Sequence, residues 1–196
     1  MVTDPVSETA PLDLPPDWLC GPVEIDVGCH KGIFVVEMAR MFPEIKFLGV
    51  EWQRKRVERT RAKIERMELS NAQVIQGEGL ETLRDRLPAG CAQVVHVSFP
   101  DPWPKRRHHV RRLVRQDFLR EAWRVLAPGG SLRLMTDDEP YFVAMREAVA
   151  EFDGFSPIDW DDGRVYPETE FQRKFAAIAK PIHRLALRRC DSMSSE

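Results

Sequence analysis

The chain is governed by an alternation of two hydrophobic periods. Short β-branched runs, VEIDV at 23–27, KFLGV at 46–50, AQVIQ at 72–76, AQVVHVSF at 92–99 and SLRLMT at 131–136, alternate with segments of helical apolar spacing at 33–42, 53–68, 79–87, 116–126 and 139–151. Parallel neighbours need a crossover of a dozen or more residues, and a helix fills it. The alternation therefore predicts an α/β fold, a mostly parallel sheet with helices on both faces. The segment Ala127-Pro128-Gly129-Gly130 reads as a turn before the fifth strand. After 151 the rhythm breaks: FSPIDW at 155–160 and HRLALRR at 183–189 read as strands, with a polar loop and TEFQRKF between them. An antiparallel pair at one sheet edge suits them.

At 196 residues the chain is long enough for one α/β domain with a substantial core. Residues 1–17, rich in Pro, Ser, Thr and acids and without periodicity, read as a flexible lead-in, leaving one domain over 18–196. With 43% hydrophobic and 31% charged residues, the composition is that of a soluble globular protein. A formal net charge of -2 excludes a polycation that coats nucleic acid, so any such binding needs a local patch. Cys20, Cys29, Cys91 and Cys190 are scattered, with neither a C-x-x-C pair nor a metal-ligand spacing. They read as free thiols of a cytoplasmic protein that binds no metal. No window approaches the roughly 18 apolar residues of a membrane helix, so no membrane association is expected.

In an open parallel sheet, ligands bind outside the carboxyl ends of the strands. The first strand ends in Asp26-Val27-Gly28-Cys29-His30-Lys31-Gly32 and the second in Gly49-Val50-Glu51-Trp52. A carboxylate such as Glu51 offers two oxygens to the vicinal hydroxyls of a ribose. A dinucleotide would need G-x-G-x-x-G and a pyrophosphate, and this loop has Gly28 and Gly32 only, with an anion just before them. Asp26 suits a cationic or amino-bearing ligand such as S-adenosylmethionine. A plain strand-to-helix turn capped by Asp26 would use the same glycines, and the pairing with Glu51 in the neighbouring crevice weighs against it.

The fourth strand runs into FPDPWPKRRHH at 99–109. Topology aims Asp101 at the same crevice, and Pro100 and Pro102 stiffen the backbone that carries it. Trp103 can stack on a base or close the wall. Lys105, Arg106, Arg107, His108, His109, Arg111, Arg112 and Arg115 follow with almost no acids among them, a segregation that suits a polyanion such as a nucleic acid backbone. Alternatively, the prolines only stop a strand and the cations line a solvated helix face.

With these residues in hand, the chain resembles the bacterial tRNA (guanine-N7)-methyltransferase family. FPDPWPKRRHHVRRL at 99–113 carries the resemblance most specifically, together with IDVGCHKGIF at 25–34, FLGVE at 47–51, TDDEPY at 136–141 and TEFQRKF at 169–175. The resemblance implies a Rossmann-like class I methyltransferase fold with a C-terminal antiparallel hairpin, S-adenosylmethionine as methyl donor, and a variable-loop guanine of tRNA as acceptor. By position it implies cofactor contacts at Asp26, Gly28, Glu51, Glu78 or Gly79, and Asp101, with Asp101 also the active-site acid. Lys105, Asp137 and Thr169, Glu170, Phe171 and Gln172 match substrate-binding positions.

Three departures stand out. Where the family has Glu-x-Gly-x-Gly-x-Gly, this chain has Asp26 for the acid and His30 for the middle glycine, which calls for a strained or altered loop backbone. Counting back from Glu81 puts Gly79 beside the adenine position, with Glu78 one step away. The last glutamate of the family's T-x-F-E is Gln172. Two rivals are a tRNA-binding protein that has lost catalysis and a dinucleotide oxidoreductase, the second disfavoured by the missing glycine and by Asp26.

Overall fold

The computed structural model describes residues 14–15 and 17–191. The expected lead-in falls almost entirely outside them; within it, Leu14 packs against the core beside the buried Trp18. The elements run β1 (Val23–Val27), α1 (Ile33–Met41), β2 (Lys46–Glu51), α2 (Arg54–Arg66), β3 (Ala72–Gln76), α3 (Gly79–Arg86) and β4 (Ala92–Ser98). A 3-10 helix, Arg106–Arg111, precedes α4 (Gln116–Val125), β5 (Leu126–Thr136), α5 (Glu139–Ala150), β6 (Phe155–Ile158), α6 (Glu170–Ala176) and β7 (His183–Arg189). Apart from β5, which begins five residues before its expected start, each expected strand and long helix forms at or within two residues of its expected limits.

The strands join in one seven-stranded sheet of order β3-β2-β1-β4-β5-β7-β6. β3 to β5 pair in parallel, and β7 returns antiparallel between β5 and β6. The order reverses between β1 and β4, so the switch point lies above Asp26 and Ser98. This is the expected mostly parallel sheet with a reversed hairpin.

Strand alternation divides the interior. Val23, Ile25 and Val27 of β1 join Leu83 of α3, Phe118 of α4 and Tyr141 of α5 in one cluster, while Phe47 of β2 packs with Val35 and Met38 of α1 and Val57 of α2 on the other face. Burying such side chains contributes roughly 1.5–3 kcal/mol each, so the core needs no disulfide. All four cysteines are free thiols.

One local expectation is corrected, and two segments left without secondary structure acquire one. Residues 127–130 lie within β5 instead of preceding it: Ala92 pairs with Leu126 and Val94 with Ser131, so the extra residues bulge out of the ladder. The cationic run is a 3-10 helix, and TEFQRKF is mostly helical, Glu170–Ala176 forming α6. Among the described residues, no helix is long and apolar enough to cross a membrane.

Candidate active site

The carboxyl ends of β1, β2 and β4 open into a cavity of about 590 Å³, within the usual range for a small-molecule site. Asp26 stands at its floor, 6% exposed. Among the described residues its carboxylate has no hydrogen-bond partner, and burial, with Glu51 adding repulsion, pushes it up to about 7. A carboxylate placed so is complementary to an ammonium group.

Glu51 ends β2 and is 2% exposed. Its Oε2 accepts from the His30 backbone N–H at 3.0 Å and its Oε1 from that of Gln53 at 2.9 Å, with the Arg56 guanidinium 3.6 Å away. Each oxygen retains a lone pair, so the acid is pre-aimed and still able to accept from a diol.

The loop between β1 and α1 alternates into the left-handed region: Gly28 has φ 81°, His30 φ 53° and Gly32 φ 64°. A Cβ at Gly28 would meet nothing within 4 Å, so that glycine answers to backbone conformation, and the space beside it is free for ligand. His30 accepts the strain that its departure from glycine implied. Its ring packs at 5.4 Å from Phe171, and its Nδ1 lies 3.9 Å from Glu170. Burial first, and Arg56 second, hold the imidazole below its ordinary pKa.

Glu78 is the N-cap of α3, its Oε2 accepting from the Glu81 N–H at 2.9 Å, and it lines the cavity with Gly79. A Cβ at Gly79 would come within 2.7 Å of Val27 Cγ1, so this glycine is required by close approach of helix and strand. Asp101 lies on the rim between two strained residues, Phe99 at φ 55° and Trp103 at φ 45°. Bulky residues in that region cost on the order of 1–3 kcal/mol each and persist where their surroundings fix them. Here the Phe99 N–H donates to the Met135 carbonyl at 2.7 Å, and Arg112 Nε donates to the Pro102 carbonyl at 2.8 Å.

The far wall comes from the C-terminal segment. Thr169 caps α6 in a reciprocal capping box: the Gln172 N–H donates to Thr169 Oγ1 at 3.1 Å, and the Thr169 N–H to Gln172 Oε1 at 2.8 Å. Thr169, Glu170 and Phe171 line the cavity, whereas Gln172 is spent on the cap. Glu170 meets Lys31 at 2.7 Å across the mouth, which holds its carboxyl below the ordinary range.

Nine of the expected positions thus converge: Asp26, Gly28, Glu51, Glu78, Gly79, Asp101, Thr169, Glu170 and Phe171. Lys105, Asp137 and Gln172 lie outside the lining. Lys105 is exposed, and Asp137 pairs with Lys180. The cationic run divides as well. Arg106 and Arg107 are exposed, and Arg111 lies over the Trp103 ring at 5.0 Å. Arg112, in contrast, is 7% exposed and lies over Tyr141 at 4.8 Å, which makes it a brace instead of a surface cation. Trp52, 64% exposed, and Arg56 also line the cavity. The signal for Trp52 was its place directly after the β2 acid; Arg56, in the first turn of α2, carried none. Among the described residues no group of His, Cys, Asp or Glu forms a metal-binding cluster.

The donor set fits S-adenosylmethionine: an unpartnered carboxylate for an ammonium, a pre-aimed acid for a ribose, and an open glycine wall between them. The comparisons agree. A family model described as "Putative methyltransferase" matches residues 21–185. Proteins named tRNA (guanine-N7-)-methyltransferase are similar to this chain at 34% identity in Limosilactobacillus reuteri, covering 84% of this chain and 79% of the relative. The Bacillus subtilis protein of that name is 30% identical over 83% of this chain and 78% of its own length. Among solved structures, the aminoglycoside resistance methyltransferase NpmB1 superposes with a TM-score of 0.63 at 22% identity, over 89% of this chain and 91% of that one. TrmN from Thermus thermophilus gives 0.61 at 19% identity, over 87% and 44%. These two likenesses concern the fold, which is that of class I methyltransferases. Taken with the cavity at the switch point, the matches establish that this chain belongs to the tRNA (guanine-N7-)-methyltransferase family.

Proposed function

We propose that the protein transfers a methyl group from S-adenosylmethionine to N7 of a variable-loop guanine in tRNA, forming 7-methylguanosine. The observation that carries this is the convergence of Asp26, Glu51 and Asp101 on one cavity, in a chain whose relatives bear that activity's name. Asp26 holds the cofactor's methionine ammonium, Glu51 its ribose hydroxyls, and the Glu78-Gly79 corner with the Gly28 wall receives the rest. When bound, S-adenosylmethionine supplies an electrophilic methyl group.

The chain's own residues then have a limited task. Guanine N7 carries a lone pair and no proton at neutral pH, so no general base is needed. Holding N7 in line can be worth roughly 7–11 kcal/mol. The methylated base is cationic, and the Asp101 carboxylate, held stiffly on the rim, favours that charge as it develops. N7 lies in the deep, narrow groove of an A-form helix, so the acceptor must come from a loop or be drawn out of its pairing. Thr169, Glu170 and Phe171 form the wall that meets it, Gln172 fixes that wall through the cap, and Asp137 and Lys105 act from outside the lining. Arg106, Arg107 and Arg111 take the phosphates, with Trp103 beneath Arg111 as a platform.

The test incubates the protein with labelled S-adenosylmethionine and unmodified tRNA, digests the product and identifies the modified nucleoside. Label in 7-methylguanosine is expected, and methylation at another atom overturns the reading. Asp101→Asn is expected to abolish turnover while tRNA retention on a filter stays near wild type. The relatives' shared activity and the strained but complete cofactor loop favour an enzyme over a tRNA-binding protein without catalysis.

A further inference from the structure

The face of the sheet that carries Asp26 has helices α1 and α2 over one half only. Over β1, β4 and β5 it is crossed by residues 159–168, which have no regular secondary structure and lead directly into Thr169. Such a stretch holds one path only if something fixes it. Beneath it lie three buried polar side chains from three adjacent strands: Glu24, 2% exposed; His96, 4% exposed; and Arg133, 3% exposed.

Each is engaged by the crossing segment or supports a residue that is. Glu24 receives Arg164 at 2.5 Å on Oε1 and His96 Nε2 at 2.8 Å on Oε2. Arg133 reaches Asp162 at 3.0 Å and donates to the Trp160 carbonyl at 2.7 Å. Tyr166 donates its hydroxyl to Asp162 at 2.6 Å, and its ring lies 6.0 Å from that of His96. Arg164 also covers Phe42 at 4.3 Å, and Arg133 covers Trp160 at 4.2 Å. Buried ion pairs contribute little net stability compared with apolar packing, and their better-attested use is to specify one arrangement. A single arrangement is what the α6 wall requires.

We propose that Arg164 and Arg133 are positioning residues for the acceptor: with Glu24, His96 and Asp162 they root the 159–168 crossing, and so hold Thr169, Glu170 and Phe171 at the cavity mouth. They touch neither cofactor site nor acceptor site. Their effect passes through the segment, and it rests on the proposed function for its catalytic readout. The cofactor carboxylates Asp26 and Glu51 are placed by β1 and β2 and do not depend on the root.

The experiment measures Arg164→Ala and Arg164→Lys, with Glu24→Gln as the variant that keeps shape and removes charge. Steady-state kinetics with tRNA are paired with a cofactor titration and timed trypsin cleavage, the cut sites identified by mass. For Arg164→Ala, kcat/KM for tRNA is expected to fall on the order of tenfold to a hundredfold through misplacement of the wall. The cofactor dissociation constant is expected to stay within about twofold, since no cofactor contact is lost. Cleavage at Arg173, Lys174 or Lys180 should quicken by about tenfold through local opening, and Arg164→Lys should recover part of each effect. Unchanged cleavage and unchanged kcat/KM in a folded Arg164→Ala protein overturn the proposal. So does a loss of cofactor affinity and global stability with no segment-specific cleavage. If Arg164→Ala does not fold, Glu24→Gln carries the same readouts. If the wild-type protein methylates no tRNA, the proposed function fails, and the cleavage measurement still decides whether the root exists.

Discussion

Glu24 and Asp26 sit two residues apart on one strand, on one face, both almost fully buried, and they are opposites. Burial pushes Glu24 up, yet hydrogen bonds and charge from His96 and Arg164 outweigh it and hold the carboxyl below its ordinary range. Asp26 has no such partner among the described residues; burial and the Glu51 charge push it up to about 7. Depth is therefore not what separates the two acids. What separates them is whether the chain has already supplied the cation.

The sharpest way to break the contrast is to neutralise the unpartnered member. Asp26→Asn should weaken cofactor binding by about a hundredfold or more, as loss of a buried charge partner does, while making the ligand-free protein more stable at pH 8. The sign follows from linkage. The folded pKa of about 7 lies above the ordinary 3.8, so the native state holds its proton longer than the unfolded chain. That contribution is fully present below about pH 4 and is lost as pH rises through about 7. The gain for Asp26→Asn should thus approach about 4 kcal/mol at pH 8 and vanish near pH 4, read from urea midpoints. Equal midpoints at pH 8 would contradict the assignment.

Neutralising the partnered member should do the reverse. Glu24→Gln takes the anion from the buried His96 and from the half-buried Arg164 and should cost about 3 kcal/mol. For a chain of this length that is a fall of about 6–12 °C in Tm. Its cofactor affinity, by calorimetry, should remain within about twofold of wild type, the two sites sharing no partner.

A gentler probe is pH itself. An ammonium needs the Asp26 carboxylate ionised, so the cofactor dissociation constant should rise about tenfold per unit as pH falls below about 7. Titrations from pH 5.5 to 8.5 would be about flat in Asp26→Asn, where this group is missing. The smallest effect carries the comparison over to cations. Arg106 is open, so Arg106→Ala should raise the KM for tRNA a few-fold and reduce the slope of log affinity against log salt by about 0.7. Arg112, braced by Pro102 and Tyr141, should instead lower Tm and leave that slope unchanged when replaced by Ala.

Much of this was legible before the fold. VEIDV, AQVIQ and HRLALRR form β1, β3 and β7 with their limits unchanged, because β-branched runs bounded by turn residues signal strands strongly. Helix α6 was missed because its seven residues hold no full apolar period, although Thr169 and Gln172 spelled a capping box. Arg112 was grouped with its neighbours because sequence shows charge and not depth. The buried root was missed for a related reason. Glu24, His96 and Arg133 each interrupt an apolar strand, and only pairing in the sheet brings the three interruptions together, against an irregular segment whose course no periodicity announces.

Two carboxylates that the proposed function assigns to the acceptor already have cations of their own, Asp137 with Lys180 and Glu170 with Lys31. On the proposed reading, a guanine arriving at either one takes part in an exchange: one ion pair opens as each new hydrogen bond forms. The net Coulomb gain of such a swap is close to zero, so adhesion must come from stacking and from the phosphate contacts farther out. The displaced ammonium groups are then free to follow the RNA, and they return to their acids when the product leaves. On that reading Lys31 and Lys180 compete with the acceptor for Glu170 and Asp137, and their return to these acids favours release of the methylated tRNA.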